Sequence, residues 1–159
     1  MTSFQFNIAR YSRLSRLLTA VLAMLLAAPI LAQDAASLEA AVRDFYDKLN
    51  DEDPSFADYY LPEADSFPRT GLILGPFPDS VTARENIESG LDFEVELHHL
   101  DTRIFEDTGI ATYYTTGTTT YPDGVILTGT HRATLVTVWQ GGRWRIVHGH
   151  LSELKTLPE

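Results

Sequence analysis

Apolar and polar residues alternate with a period of two through the second half of the chain, and this alternation limits the possible folds more than any other feature. The alternating segments are rich in Thr, Val, Ile, Tyr and Trp, which favour β-strands. Short turns that contain glycine separate them, and such turns join neighbouring antiparallel strands. The sequence therefore predicts three consecutive hairpins, built from strands at residues 94–106, 109–121, 125–139 and 143–152.

The first of these strands contains a slip in its alternation. Val95 and Leu97 occupy odd positions, whereas Leu100 and Ile104 occupy even positions. One extra residue at His98-His99 accounts for the change, because a β-bulge places two residues of one strand opposite one residue of its neighbour. A bulge also bends its strand, so we predict a strongly curved antiparallel sheet.

Helical signals come before these strands. Apolar residues at spacings of three and four predict a first helix that begins near Ser37 and ends at Asp51. Capping residues predict a second, short helix from Ser55 and a third from Thr82, with a strand over residues 66–74 between them. The predicted fold class is α+β, in the order α-α-β-α-β-β-β-β, with the curved sheet wrapped around the N-terminal helices.

Residues 1–32 have the composition of a secretory signal peptide. They contain three arginines, no acidic residue, a short apolar run and Ala32 at the exit. The run is shorter than the roughly 20 apolar residues that a membrane-spanning helix needs. We therefore expect export to the periplasm or the medium, and a mature chain, residues 33–159, that forms a single domain.

The net charge of the chain argues against two classes of partner. It has 22 acidic against 12 basic residues and a formal net charge of −10. This charge repels phosphate backbones and anionic lipid heads, so we expect no nucleic-acid partner and no stable membrane association once the signal is removed. No phosphate-binding glycine loop and no spaced set of metal ligands is present, so no cofactor and no metal are predicted.

The order of the predicted elements resembles the nuclear transport factor 2-like superfamily, also called the SnoaL-like or ketosteroid isomerase-like fold, over residues 36–153. The most specific part is the last hairpin, in which Val138-Trp139 and a glycine turn precede the string from Arg143 to Ser152. That hairpin is similar to the end of the calmodulin-dependent protein kinase II association domain and its bacterial relatives. The resemblance implies a cystatin-like cone with a pocket between sheet and helices, and a homodimer through the outer face of the sheet.

The resemblance also allows a comparison with the isomerase branch, residue by residue. Tyr46 matches the tyrosine that donates a hydrogen bond to the oxyanion in ketosteroid isomerases. The general-base aspartate of that branch falls near Phe67-Pro68, and its second oxyanion donor falls near Leu135, where this chain has no carboxylate. Because proton transfer between two carbons needs a positioned base, steroid isomerisation of that type is not expected.

Two histidines and one arginine are the main polar candidates for a site. His148 and His150 are two residues apart, so we expect them on one face of the last strand, together with Trp144, Ile146 and Ser152.

Arg132 lies on the third long strand. It shares a face with the other even-numbered residues from 130 to 138, while His131 and Leu135 lie on the opposite face. An arginine there either pairs with a surface carboxylate or binds an anionic ligand. The predicted ligand-binding residues are Tyr46, Tyr60, Tyr114, Arg132, Trp144, His148 and His150.

Three functions fit these residues. The first is binding of a small molecule in the pocket, with polar contacts from Tyr46, Arg132, His148 and His150. The second is a lyase, isomerase or hydrolase in which His148 or His150 is the general base and Tyr46 donates a hydrogen bond. The third is an oligomerisation module, as in the kinase association domain. The sequence alone leaves the choice between an enzyme and a binding domain open.

Overall fold

The helices and strands follow the predicted order, with some shifted boundaries. The structure, a computed structural model, describes residues 33–68 and 73–155. The predicted signal peptide lies outside these residues, as do residues 69–72 of the predicted strand 66–74. The elements are α1 (Ala35–Asn50), a 3-10 helix (Pro54–Tyr59), β1 (Tyr60–Phe67), β2 (Gly75–Pro76), α2 (Ser80–Glu88), β3 (Asp92–Phe105), β4 (Thr108–Thr120), β5 (Ile126–Gln140) and β6 (Arg143–Glu153).

One sheet contains all six described strands, in the order β2-β1-β6-β5-β4-β3. The three consecutive hairpins β3–β4, β4–β5 and β5–β6 pair antiparallel, which confirms the predicted meander. β1 pairs with β6 in parallel, a contact that joins segments more than 80 residues apart. The α+β class is confirmed, with one parallel pair at the side of an otherwise antiparallel sheet.

The bulge predicted from the slipped alternation in β3 is confirmed. His98 lies opposite Tyr114 and Asp101 lies opposite Thr112, so two residues of β3 share one partner position. His99, inside the bulge, has a φ of 51°, in the left-handed region. Because a bulge increases the local twist and bend of a strand, β3 curls and the sheet curves around α1.

A second bulge lies in β6, and it changes which residues face inward. Val136 pairs with His148, whereas the next residue of β5, Thr137, pairs with Ile146, so Val147 is the extra residue. Before the bulge the buried side chains are Trp144 and Ile146. After it, the side chains of His148 and His150 lie on the opposite, outer face. The prediction that these histidines share a face with Trp144 and Ile146 is wrong, because the bulge reverses the phase of the strand.

α1 packs on the inner face of the sheet through the apolar stripe predicted from its sequence. Its N-cap is Asp34 rather than Ser37: the Asp34 carboxylate accepts a hydrogen bond from the Ser37 backbone N–H at 2.8 Å. The Ser37 hydroxyl in turn accepts from the Asp34 backbone N–H at 3.1 Å, which closes a reciprocal capping box. The buried residues of α1 are Leu38, Val42, Phe45, Tyr46 and Leu49.

The segment between α1 and β3 departs most from the prediction. The second helix is a 3-10 helix capped by Asp53, and β1 begins at Tyr60, where pairing with Ile146 of β6 sets its register. α2 is capped by Asp79, three residues before the predicted capping box at Thr82. None of the helices formed by the described residues is both long and apolar enough to span a membrane.

Candidate functional site

Two recesses lie on opposite faces of the sheet, and they divide the predicted site residues between them. The inner cavity lies between the sheet, α1 and α2 and has a volume of about 260 Å³. The outer cleft lies on the other face and has a volume of about 320 Å³. Tyr46 and Tyr60 line the inner cavity, whereas Tyr114, Arg132 and His150 line the outer cleft.

Aromatic rings form much of the inner cavity wall. Tyr60 and Phe77 stack nearly parallel, with ring centroids 4.0 Å apart. Phe45 meets Tyr46 and Phe56 edge to face, at 5.2 Å and 6.2 Å. Among the described residues, no Asp, Glu, Lys or Arg lines this cavity. The wall is therefore apolar and uncharged apart from a few hydroxyl, amide and imidazole groups.

Three buried tyrosines supply the main polar groups of the inner cavity. The hydroxyls of Tyr46 and Tyr113 are hydrogen-bonded at 3.0 Å. Burial raises the pKa of Tyr113 well above its ordinary value, and the neighbouring Tyr46 raises it further. Burial likewise raises the pKa of Tyr60. Both phenols therefore stay protonated at neutral pH; the Tyr113 hydroxyl accepts the hydrogen bond from Tyr46, and the Tyr60 hydroxyl can donate one.

The Tyr60 hydroxyl differs from the other two because no described residue gives it a hydrogen-bond partner. The Tyr60 side chain is only 9% exposed, and it lines the inner cavity. Arg145 Nε is the unpaired side-chain polar atom that the described residues enclose completely, so the Tyr60 hydroxyl keeps some access to solvent. This donor is thus available to a group that enters the cavity.

His131, like Tyr113, is an inner-cavity residue that the predicted site left out. It is 8% exposed, and its side chain lines the cavity from β5. The alternation of β5 did place His131 on the face of Leu135, and the structure confirms that these two side chains face inward. Alternation shows which side chains share a face, but it does not show what packs against that face. The sequence therefore did not indicate that this face borders the inner cavity.

The positions near which the resemblance places the isomerase carboxylates also border the inner cavity. Pro68 and Leu135 occupy them, and both residues line the wall. The absence of a carboxylate at each position therefore leaves the cavity itself without the acidic groups that steroid isomerisation uses.

The outer cleft has a different chemistry. Arg132 donates a hydrogen bond from Nε to the Ser152 hydroxyl at 2.9 Å. Of the carboxylates in residues 33–68 and 73–155, none pairs with Arg132, so the surface ion pair considered from the sequence is not formed there. His99 also lines the cleft, and its ring meets Tyr114 edge to face at 6.2 Å.

His148 and Trp144 line neither recess. The Nδ1 atom of His148 lies 2.6 Å from a carboxylate oxygen of Asp65, and both side chains are about one-third exposed. Trp144 is buried in the core, where its ring N–H donates to the Ser37 hydroxyl at 2.9 Å. The expectation that His148, His150 and Trp144 all look into the interior pocket is wrong, because the β6 bulge puts the histidines outside and helix α1 covers the tryptophan.

Metal binding finds no support within the described part of the chain. No three residues drawn from His, Asp and Glu group closely enough there to hold a metal ion. The phenol, imidazole and amide groups of the inner cavity instead match the few convergent polar groups of small-molecule sites.

Comparisons with known proteins agree with this fold. The sequence model of the SnoaL-like domain family matches residues 38–155 of this chain. None of the curated proteins compared with the chain matches it in sequence.

Several crystal structures are similar to the chain. A protein with a cystatin-like fold from Caulobacter vibrioides has 20% identity and a TM-score of 0.63, over 78% of this chain and 92% of that one. A nuclear transport factor 2-like protein from Cytophaga hutchinsonii has 15% identity and a TM-score of 0.64, over 77% and 100%. A proposed calcium/calmodulin dependent protein kinase II association domain from Xanthomonas campestris has 18% identity and a TM-score of 0.61, over 79% and 91%. At these identities the likeness shows the fold alone.

Proposed function

This chain belongs to the SnoaL-like domain family, and from that premise we propose that it binds a small, uncharged, ring-containing molecule in the inner cavity. The observation that carries the proposal is the hydroxyl of Tyr60, which lines an aromatic cavity and has no hydrogen-bond partner among the described residues. A carbonyl or hydroxyl oxygen on the ligand supplies the missing acceptor, and the aromatic walls bind its rings.

The size of the inner cavity limits the ligand. An apolar cavity of about 150 Å³ holds one benzene molecule. The present cavity of about 260 Å³ therefore fits one or two fused rings with a small substituent. A full steroid nucleus, with its four rings, exceeds it.

The charge of the ligand follows from the lining. No Asp, Glu, Lys or Arg among the described residues borders the cavity, so a bound anion or cation would lose its hydration without a permanently charged partner. A neutral ligand avoids that cost. The donor that it meets is a protonated phenol, because burial raises the pKa of Tyr60.

The experiment that tests this proposal compares 2-tetralone, a bicyclic ketone, with tetralin, the hydrocarbon of the same shape. Affinities are measured by calorimetry for the wild type and for Tyr60→Phe. We expect the variant to bind 2-tetralone about 2- to 10-fold more weakly, because one neutral hydrogen bond contributes roughly 0.5–1.5 kcal/mol. Its affinity for tetralin should not change.

The matched control is Tyr59→Phe. The Tyr59 hydroxyl donates to Asp44 at 2.5 Å, and Tyr59 does not line the inner cavity. This variant should bind both compounds as the wild type does. Failure of both compounds to bind, or equal losses for ketone and hydrocarbon in Tyr60→Phe, would contradict the proposal.

His131 favours one catalytic alternative in the same cavity. Its ring nitrogen would take a proton from a carbon next to a ligand carbonyl and return it to another carbon, so that substrate and product are isomers. The Tyr60 hydroxyl would stabilise the oxyanion formed between the two steps. Turnover of an enone panel that is lost in His131→Gln, while 2-tetralone still binds, would support this alternative; no turnover by the wild type would exclude it for that panel.

We also propose a homodimer that uses the hairpin end of the outer face. Phe105 is 57% exposed there, and it lies in register with Thr108, which in turn pairs with Val138. Sedimentation should give a dimer for the wild type and a monomer for Phe105→Asp. A wild-type monomer at high protein concentration would refute it.

Export remains a proposal that rests on the composition of residues 1–32. It predicts that the protein recovered from outside the cytoplasm begins at Gln33. N-terminal sequencing of that material tests the cleavage site, and a start at residue 1 would refute it.

A further inference from the structure

The outer cleft brings together groups that carry or accept positive charge, in a chain that is strongly acidic. Its lining includes His99, Arg132 and His150, and among the described residues no carboxylate lines it. The whole chain has 22 acidic and 12 basic residues, so this basic lining has the opposite charge to the chain as a whole.

The sheet itself aligns these groups. Arg132 pairs in register with Tyr114 of β4 on one side and with Ser152 of β6 on the other. In the neighbouring row, His150 pairs with Thr134. A guanidinium, an imidazole and several hydroxyls therefore point to the same side of three adjacent strands.

The β3 bulge adds His99 from the fourth strand. Its φ of 51° is uncommon for a residue other than glycine. Strained positions of this kind cluster at ligand sites, where the surrounding structure holds them. Here the strain directs the His99 ring towards Tyr114 at the edge of the cleft.

Arg132 is one of the described arginines that form no ion pair; Arg84, Arg143 and Arg145 are others, but none of these three lines the outer cleft. Arg43 pairs with Glu39 at 2.7 Å, and Arg103 pairs with Asp101 at 3.5 Å. Arg132 forms no such pair with a described carboxylate. Its Nε donates to Ser152, the two terminal nitrogens of the guanidinium have no protein acceptor among the described residues, and the side chain lines the cleft.

From this arrangement we propose that the outer cleft is a second ligand site, separate from the inner cavity, that binds the oxyanion of a small molecule: a carboxylate or a phosphate group. The two terminal nitrogens of Arg132 form the fork that such oxygens accept in pairs. His99, His150 and the hydroxyls around them donate the remaining hydrogen bonds. The ligand of this site is anionic, in contrast with the neutral ligand proposed for the inner cavity.

The test uses inorganic phosphate and acetate as probes, in Tris-chloride buffer at low ionic strength. Each is titrated into ¹⁵N-labelled protein, and the dissociation constant is taken from the shifts of the arginine Nε–H and nearby backbone amide signals. We expect saturable binding that Arg132→Gln weakens at least about tenfold, because hydrogen bonds to charged groups are the strong ones. Tighter binding of phosphate assigns the site to a phosphate group, and tighter binding of acetate assigns it to a carboxylate.

The matched control is Arg84→Gln, which removes the same charge from an exposed position of α2. It should change the dissociation constant less than about twofold, because Arg84 does not line the cleft and so donates no hydrogen bond to the probe. Arg132→Lys should bind with intermediate affinity, since it keeps the charge and loses the fork. Equal losses in Arg84→Gln and Arg132→Gln would overturn the proposal, as would no saturable shift with either probe.

Two further variants keep the test decisive if Arg132→Gln does not fold. Ser152→Ala removes the acceptor that orients Arg132, and His99→Asn removes an imidazole while keeping a residue that tolerates the left-handed conformation. Each should weaken oxyanion binding severalfold and leave 2-tetralone binding unchanged. Wild-type affinity in both variants would overturn the proposal.

Discussion

The inner and outer faces of the same sheet carry opposite chemistry. The inner face presents aromatic rings, protonated phenols and one imidazole to an uncharged cavity, and the outer face presents an arginine, two imidazoles and hydroxyls to an open cleft. Successive residues supply the two faces: Tyr113 is 3% exposed and Tyr114 is 41% exposed. Because successive side chains of a strand point to opposite faces, one sheet can form two recesses with different chemistry, one on each face.

The largest expected effect is a difference in the free energy of unfolding between a substitution on the inner face and one on the outer face. Trp144→Ala should lower the free energy of unfolding by about 3–5 kcal/mol, because it leaves a large cavity in the core. Tyr114→Ala should lower it by only about 1 kcal/mol, since that side chain is 41% exposed and loses mainly its cross-strand contacts. Denaturant titration measures both. A cost for Tyr114→Ala near that of Trp144→Ala would break the comparison and mean that a partner molecule covers the outer face.

The second prediction compares the end of the inner face that packs tightly against α1 with the end that borders the inner cavity. A Cβ atom at Gly109 would lie 2.6 Å from both Leu38 Cδ2 and Thr137 Oγ1. Gly109→Ala should therefore lower the free energy of unfolding by about 1–3 kcal/mol through overpacking.

The control for that substitution is Gly129→Ala, beside the cavity residue His131. Its Cβ would meet His131 Cε1 at 3.4 Å, an ordinary contact. The free energy of unfolding should stay within about 0.5 kcal/mol of the wild type, or rise slightly because alanine restricts the unfolded chain. Similar losses in the two variants would show that the cavity end of the face is packed as tightly as the core end.

The smallest expected effect appears at alkaline pH. Burial raises the pKa of Tyr113 in the folded state, so its contribution to stability is complete below the unfolded pKa of about 10 and is lost as the pH rises above it. One such group lowers the free energy of unfolding by at most about 1.4 kcal/mol per pH unit. Tyr113→Phe should make this alkaline decline shallower.

Urea titration between pH 10 and 11 measures this slope for the wild type and for Tyr113→Phe. Equal slopes in the two proteins would contradict the prediction.

Much of the sheet was predictable from local patterns. The four long strands begin and end within two residues of their predicted limits, and the β3 bulge falls at the predicted His98-His99. The partition of β5 into a face with Arg132 and a face with His131 is confirmed as well. These features are set by neighbouring residues, because side-chain period and turn chemistry act over a few positions.

The candidate site was less predictable. Tyr46 and Tyr60 were placed correctly in the interior, but His131 was missed and His148 was placed in a pocket that it does not reach. The β6 bulge explains part of the error. Val147 follows Ile146 directly, and Gly149 has no side chain, so the alternation carries no clear mark of the slip.

The sequence by itself determined the number and order of the long strands, their hairpins and the curvature that follows from the first bulge. Only the tertiary structure decided that β1 pairs with β6 in parallel, that Trp144 belongs to the core, and that the two C-terminal histidines lie outside the cavity. The physical reason is the distance along the sequence over which each kind of interaction acts. Periodicity and turns reflect the conformational preferences of adjacent residues, whereas burial and the lining of a hollow depend on which distant segments pack together to remove apolar surface from water.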